Sequence, residues 1–400
     1  MWRYSRIPEL DLAAYAPVEP SQAASGVQPV AASTVEVDGV TDRAAVVVVC
    51  DGRVVSVEVS EATVAAGVQV GRLIDLDPTG ESLGSVTGDA TSAFGLLHDA
   101  FSVDPVLVRV PAGAVVPAPI VVIHRTTLDR SATFPHLVVQ AGEDSEVVVY
   151  DAVVSADVDA LTVPVVELHA GPAARLRYAN AQTLGRRVWQ LGRQASRAEQ
   201  DAGLSTTMVA LGGDYARLEV ESTLAGRGSS GEMLAVYFGE DQQMHDFRTL
   251  QDHLGPRTTS NLLFKGAVQG RSRSVYTGMI HIGKQAAGVD AFQTNRNIKL
   301  SDGAWAESVP NLEIENNDVR CSHASAVGPV DEDQLYYLES RGVPPARAER
   351  LIVMGFFEEV LERLPVAGAV PPLRAEISAK LDRRDVATSE VSDGEVRSDG

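Results

Sequence analysis

Cys321 and His323 stand one residue apart in the run Asp318-Val319-Arg320-Cys321-Ser322-His323, the closest approach of a cysteine to a histidine in the chain. On an extended backbone side chains alternate faces, so both project to one side, roughly 6–7 Å apart. A soft sulfur donor and a nitrogen donor on one surface are the types that hold zinc or iron. Arg320 beside them favours the thiolate, and Asp318 is of the type that orients a ligating imidazole. Two ligands do not complete a tetrahedral shell, so the pair makes half a site at best. A cysteine near a strand-to-helix junction is also a common small packing residue.

The other histidines offer less. His98, His124, His136, His169, His245, His253 and His281 include no i, i+4 helical pair with a glutamate between, the mark of zinc hydrolases. They are expected on the surface or in strands, with His245 and His253, beside Asp246 and Asp252, on solvated coil edges. No Gly-x-x-x-x-Gly-Lys-Ser/Thr phosphate loop is present, and no hydrolase elbow is expected. Cys50 closes the apolar run Val46 to Val49 and reads as a core residue.

Composition narrows the partners. The 34 Lys and Arg against 54 Asp and Glu leave a formal charge of −20, which argues against nucleic acid held by counterion release. No apolar run approaches the roughly 20 residues that cross a bilayer, and the opening Met-Trp-Arg-Tyr-Ser-Arg lacks a signal-peptide core, so no membrane and a cytoplasmic location are expected. Cys50 and Cys321 alone exclude a disulfide framework and a four-cysteine site built from one chain.

The elements around the pair divide the chain. Residues 1–104 mix a Val-rich run, the alternating Arg53 to Val59 and a short helix over Ser92 to Phe101, an α/β region. Residues 105–328 carry short apolar bursts such as Val106 to Val110, Leu234 to Tyr237 and Met279 to Ile282, spaced near ten residues and separated by Gly, Asn, Asp and Ser. That is mainly β, as a sandwich, a barrel or a coil. Scarce Asn-Gly and Asp-Gly turns favour parallel stacking. Residues 329–385 turn helical, with Leu335 and Leu338 on one side of the first helix. A longer helix over Ala346 to Leu364 repeats Ile352, Phe356, Val360 and Leu364, and a weaker one spans Leu373 to Leu381. Residues 386–400 are polar and expected to be disordered.

Several runs together resemble the SufB/SufD family of iron-sulfur cluster assembly scaffolds, nearer its SufD branch. They are Phe264-Lys265-Gly266, Tyr276-Thr277-Gly278, Asp290 to Asn297, Pro310 to Ile314, Asp318 to His323 and Asp331 to Gly342, with the opening Trp2-Arg3-Tyr4-Ser5. The resemblance implies a right-handed parallel β-helix between an N-terminal α/β region and a C-terminal helical domain. It implies a SufB-like paralogue pairing through the β-helix and a SufC-like ABC ATPase docking on the C-terminal helices, at Leu335, Tyr336, Tyr337, Leu338, Arg341 and Phe356. Self-association into a homodimer is the expectation for the isolated chain.

A nascent iron-sulfur cluster would be shared at the paralogue interface, with His323, and less firmly Cys321, on this side. ATP-driven movement of the ATPase, transmitted through helices 331–364, would shift the two scaffolds. No flavin or nucleotide site and no independent catalysis are expected. Ala324-Ser325-Ala326 departs from the family's usual Gly-Ala-Thr after the histidine. The competing functions are a β-helix enzyme acting on carbohydrate and a purely structural paralogue.

Overall fold

Valine-rich bursts bounded by turn residues build a two-sheet coil. The structure, a computed structural model, describes residues 4–18 and 39–395, with side chains through Arg383. Trp2, Arg3 and residues 396–400 of the expected polar tail lie outside the described residues.

One sheet runs, in hydrogen-bonded order, Gln69–Arg72, Val106–Val110, His136–Ala141, Val165–Ala170, Val188–Ala198, Tyr215–Leu224, Met244–His253, Arg273–Ile282 and Trp305–Ile314. The second runs Arg53–Val59, Ala45–Cys50, Ile120–Thr126, Glu146–Ser155, Arg175–Thr183, Gly203–Ala210, Ser230–Gly239, Thr259–Val268, Val289–Lys299 and Val319–Gly328. Because the chain alternates between sheets and each strand pairs parallel with the one from the turn before, the result is a parallel β-solenoid of about eight turns.

Left-handed backbone marks the same corner in seven successive turns, at Gly113, Asp144, Ala173, Asp201, Gly228, Arg257 and Gly288, every 27 to 31 residues. The ten-residue spacing visible in the sequence is therefore one strand, and two strands with their corners make a turn.

The space between the sheets is filled by Val106, Val108, Leu137, Leu168, Leu176 and Leu204 in the early turns, and by Met208, Phe247, Phe264 and Tyr276 further on. Alternate residues point inward, as the strand period requires. The late turns also hold a buried polar knot. Asn295 Nδ2 donates to Tyr237 Oη at 2.8 Å, Tyr237 Oη donates to Asn297 Oδ1 at 2.8 Å, and Asn297 Nδ2 donates to Asn295 Oδ1 at 2.9 Å. Gly266 makes room for it, since a Cβ there would lie 2.1 Å from the Tyr237 ring.

The two ends differ. At the first turn, residues expected to form a separate α/β region extend the same sheets. Ala45–Cys50 pairs parallel with Ile120–Thr126, while Arg53–Val59 and Gln69–Arg72 add antiparallel strands. Helices α1 (Glu61–Ala65) and α2 (Leu73–Leu76) connect them. Helix α3 (Ala93–Phe101), capped by Ser92, and residues Ile7, Leu10 and Tyr15 cover the outer face of the first sheet over Phe134, Leu161, Trp189 and Tyr215.

Three more helices follow the solenoid: α4 (Glu332–Ser340), α5 (Pro345–Leu361) and α6 (Val370–Glu395). α5 buries Val353, Phe357, Val360 and Leu361 on the outer face of the second sheet, against Leu234, Val236, Phe238 and Leu263. The buried stripe is thus not the four-residue repeat Ile352, Phe356, Val360, Leu364. A turn of 3.6 residues carries a strict repeat of four off the contact line, and Ile352 and Phe356 are only half-buried. α6 begins before and runs well beyond the expected Leu373 to Leu381, helical through residues 386–395 that composition marked as tail. No helix among the described residues is long and apolar enough to cross a membrane.

Candidate functional site

Cys321 and His323 lie on Val319–Gly328, the terminal strand of the second sheet, hydrogen-bonded on one side only, to Val289–Lys299. Val319 and Cys321 pack against the apolar cluster of Ile280, Ile282, Val289 and Ala291. Burial pushes the Cys321 thiol above its ordinary value, so it is held as a thiol rather than activated. His323 stands opposite the fully buried Gln293 in register, is itself exposed, and forms no hydrogen bond or ion pair among the described residues. The two side chains share a strand face, but one packs inward and the other is free.

The neighbouring edge is open as well. Trp305–Ile314 ends the first sheet, with Leu312 and Ile314 exposed, and Ser325 Oγ donates to Ser308 Oγ at 2.8 Å across the mouth. Two ten-residue terminal strands thus present unpaired backbone on one rim, a ready template for another β-edge. Among the described residues no group of three or more His, Cys, Asp and Glu is placed to hold a metal ion.

The residues expected at the ATPase contact fall into two groups. Tyr336 and Tyr337 are 74% and 58% exposed on α4, with the Arg341 guanidinium 5.3 Å from the Tyr337 ring. Leu335, Leu338 and Phe356 are half-buried, and Leu335 and Phe356 pack on the helix-to-sheet core. Lys265 Nζ sits 4.5 Å over the Phe356 ring, donates to Phe356 O at 2.9 Å, and pairs with Glu359.

Sequence reasoning missed the polar anchors between the helices and the coil. Lys380, 2% exposed, pairs with Glu240 at 3.1 Å and donates to Gln243 at 3.0 Å. Arg383 also holds Glu240, and Arg363 pairs with Glu232. Lys265 belongs to the Phe264-Lys265-Gly266 run, the one signal that pointed at an anchor.

His124, His136, His169, His245, His253 and His281 lie in strands as expected, but the solvated coil edge expected for His245 and His253 needs correction: both are buried, and so is Asp246, as are His98, His124 and His136. His253 Nδ1 and Nε2 meet Thr258 Oγ1 and Ser260 Oγ at 2.7 and 2.8 Å, while Asp246 pairs with Arg217 and Arg248. These partners come from the next corner, the same strand and the preceding turn, an arrangement that composition does not reveal. Gly80-Glu81-Ser82-Leu83-Gly84 does match hydrolase-elbow spacing, but Ser82 lies in a turn, its hydroxyl bound by Arg109 at 2.7 Å and by Gln140, with no imidazole.

The fold is a parallel solenoid whose last two strands each keep one unpaired edge, one of them bearing the free imidazole, with helices packed on the second sheet. The chain belongs to the family described as SUF system FeS cluster assembly, SufBD core domain, whose model matches residues 124–356.

The chain is similar to an iron-sulfur cluster assembly SufBD family protein of Mycobacterium tuberculosis, at 41% identity over 54% of this chain and 56% of that protein. A second SufBD family protein of the same strain is 30% identical over 53% of this chain and 25% of its own length. The iron-sulfur cluster assembly protein SufD of Bacillus subtilis is 28% identical over 71% of this chain and 66% of that protein. The chain spans about half the length of the mycobacterial relative with the higher identity.

Proposed function

We propose that this chain is a SufD-like scaffold subunit, without catalysis of its own, acting in the cytoplasm in a complex with a SufB-like paralogue and a SufC-like ABC ATPase. The nascent iron-sulfur cluster is its cargo. The observation that carries the reading is the free imidazole of His323 on the last strand of the second sheet, at a rim where both sheets end in a strand with one unpaired edge. The paralogue supplies the remaining ligands. His323 is the ligand on this side, and Cys321 in its apolar seat supports the strand beneath it.

The strands of residues 45–328 act as one rigid coil, and 329–385 form the docking domain, which presents Tyr336 and Tyr337 to the ATPase. Because α5 and α6 are fixed to the second sheet through Lys265, Arg363 and Lys380, ATP-driven displacement of α4 and α5 moves the coil and its rim together. The existence of two SufBD family proteins in one mycobacterial strain supports a paralogous pair.

The pairing is tested at the rim. Leu312→Glu with Ile314→Glu, both at exposed positions, is expected to weaken capture of the SufB-like paralogue by at least about tenfold through buried unpaired charge. The melting temperature of this chain should stay within a few degrees. Capture unaffected by the double change would place the paralogue elsewhere.

A further inference from the structure

A cleft of about 330 Å³ opens on the outer face of the first sheet, far along the coil from the rim. Its floor is two adjacent rows of outward side chains, Val163 with Leu191 and Val165 with Arg193, and its wall is α3 through Phe94. The turn 83–90 forms the roof. The volume lies within the range of small-molecule sites.

The roof is pinned by buried polar groups. Glu167, fully buried, accepts from the backbone N–H of Gly84 and Val86 at 2.7 Å each and of Thr87 at 3.1 Å. His136 Nε2 lies 2.9 Å from the same carboxylate, His136 Nδ1 lies 2.9 Å from His98 Nε2, and His98 Nδ1 donates to Val163 O at 2.7 Å. A carbonyl and a carboxylate only accept, so His98 Nδ1 and His136 Nε2 each carry a proton, and the contact between the two rings is a hydrogen bond when either ring holds a second one. Burial alone would raise the Glu167 carboxyl, but His136 and the turn amides outweigh it and hold it at about 2. The chain of bonds uses every nitrogen of both rings, so neither histidine is left to meet a ligand. Its effect is to hold the turn over the cleft.

What faces the space is different. Arg217 is buried and occupied by Asp246 at 3.5 Å and Glu219 at 2.6 Å. Arg193 spends one nitrogen, Nη2, on Thr87 O at 3.1 Å and lies 3.6 Å from Glu221, which leaves guanidinium donors at the point where apolar floor meets charged row. Asp89 and Asp99 stand exposed on the rim of the cleft.

We infer that the cleft is a binding site for a small amphipathic anion, with an aromatic or branched apolar body on Val163, Leu191 and Phe94 and one carboxylate, sulfonate or phosphate on Arg193. The site stands apart from the rim and does not depend on the cluster-assembly reading.

The fluorescent probe 1-anilinonaphthalene-8-sulfonate has this chemistry and is titrated into the full chain. One saturable site is expected, weakened by about tenfold or more in Arg193→Gln through loss of a charged hydrogen bond. Arg193 is half-exposed, so the variant should melt as the parent does. In the unsubstituted chain 1-naphthoate should displace the probe, and the neutral 1-naphthalenemethanol should do so about tenfold less well. Binding that never saturates, that ignores Arg193→Gln, or from which the neutral alcohol displaces the probe equally well overturns the inference.

Discussion

Replacing His323 by alanine is expected to leave a folded, complex-forming chain that no longer supports cluster maturation. The imidazole is exposed and makes no hydrogen bond or ion pair among the described residues, so its loss changes stability by less than about 0.5 kcal/mol. As the ligand on this side of a shared site, it should account for at least about a tenfold drop in maturation. Cys321→Ala should act in the opposite proportion. Its sulfur fills the cluster around Ile282 and Ala291, so stability falls by about 1 kcal/mol while maturation falls less. Activity of an iron-sulfur enzyme in cells reads the first quantity, and thermal melting the second. Normal maturation in the His323 variant would reduce this subunit to a brace.

Glu240→Ala should be the most damaging single change among the helix anchors. Lys380 is buried beside Phe238, and Glu240 is the carboxylate that matches it. Removing one partner of a buried pair leaves an uncompensated charge and costs about 3–5 kcal/mol. Arg383 would lose its bidentate partner as well.

The loss has a pH signature. Burial pushes Lys380 down to about 8 against the pull of Glu240, whereas an unfolded lysine titrates near 10.4. Between those values the unfolded chain holds more protons, so the lysine's own contribution to stability rises with pH. Without Glu240 the folded value drops further and the rise begins lower. Denaturation of the variant should therefore show part of the deficit restored between pH 7 and about pH 10, while the Glu240 share of the parent's acid lability disappears. Burial raises the Glu240 carboxyl, but Arg383 and Lys380 outweigh it and hold it below its ordinary value. That stabilisation is present above the usual carboxylate range and fades as pH falls through the depressed value. A variant as stable as the parent at pH 7 would mean that the helices do not depend on this anchor.

Much of the coil was legible because valine bursts and sparse hairpin turns are local signals. Val106–Val110 and Arg53–Val59 are strands with the expected limits. The turn period was not legible, because its corner is held by different residues, glycine at 113, 228 and 288, aspartate at 144 and 201, alanine at 173 and arginine at 257. A left-handed backbone position imposed by stacking leaves no fixed letter in the sequence.

The strand under the pair was legible, its burial was not. The Cys-x-His spacing put both residues on one strand, but their different burial depends on where the coil stops and which side chain meets Ile280 and Ile282. The anchors were hidden because Lys380 and Glu240 are 140 residues apart. The roof over the cleft was hidden likewise, since Glu167 and Gly84 meet across 83 residues.

The direct test is visible absorption after anaerobic reconstitution with iron and sulfide, of this chain alone, of its complex with the SufB-like paralogue and the ATPase, and of that complex carrying His323→Ala. Iron-sulfur absorption should arise in the complex alone and be lost with the imidazole. A stable cluster on the solitary monomer, or an undiminished one in the variant complex, would contradict a site completed across the open rim.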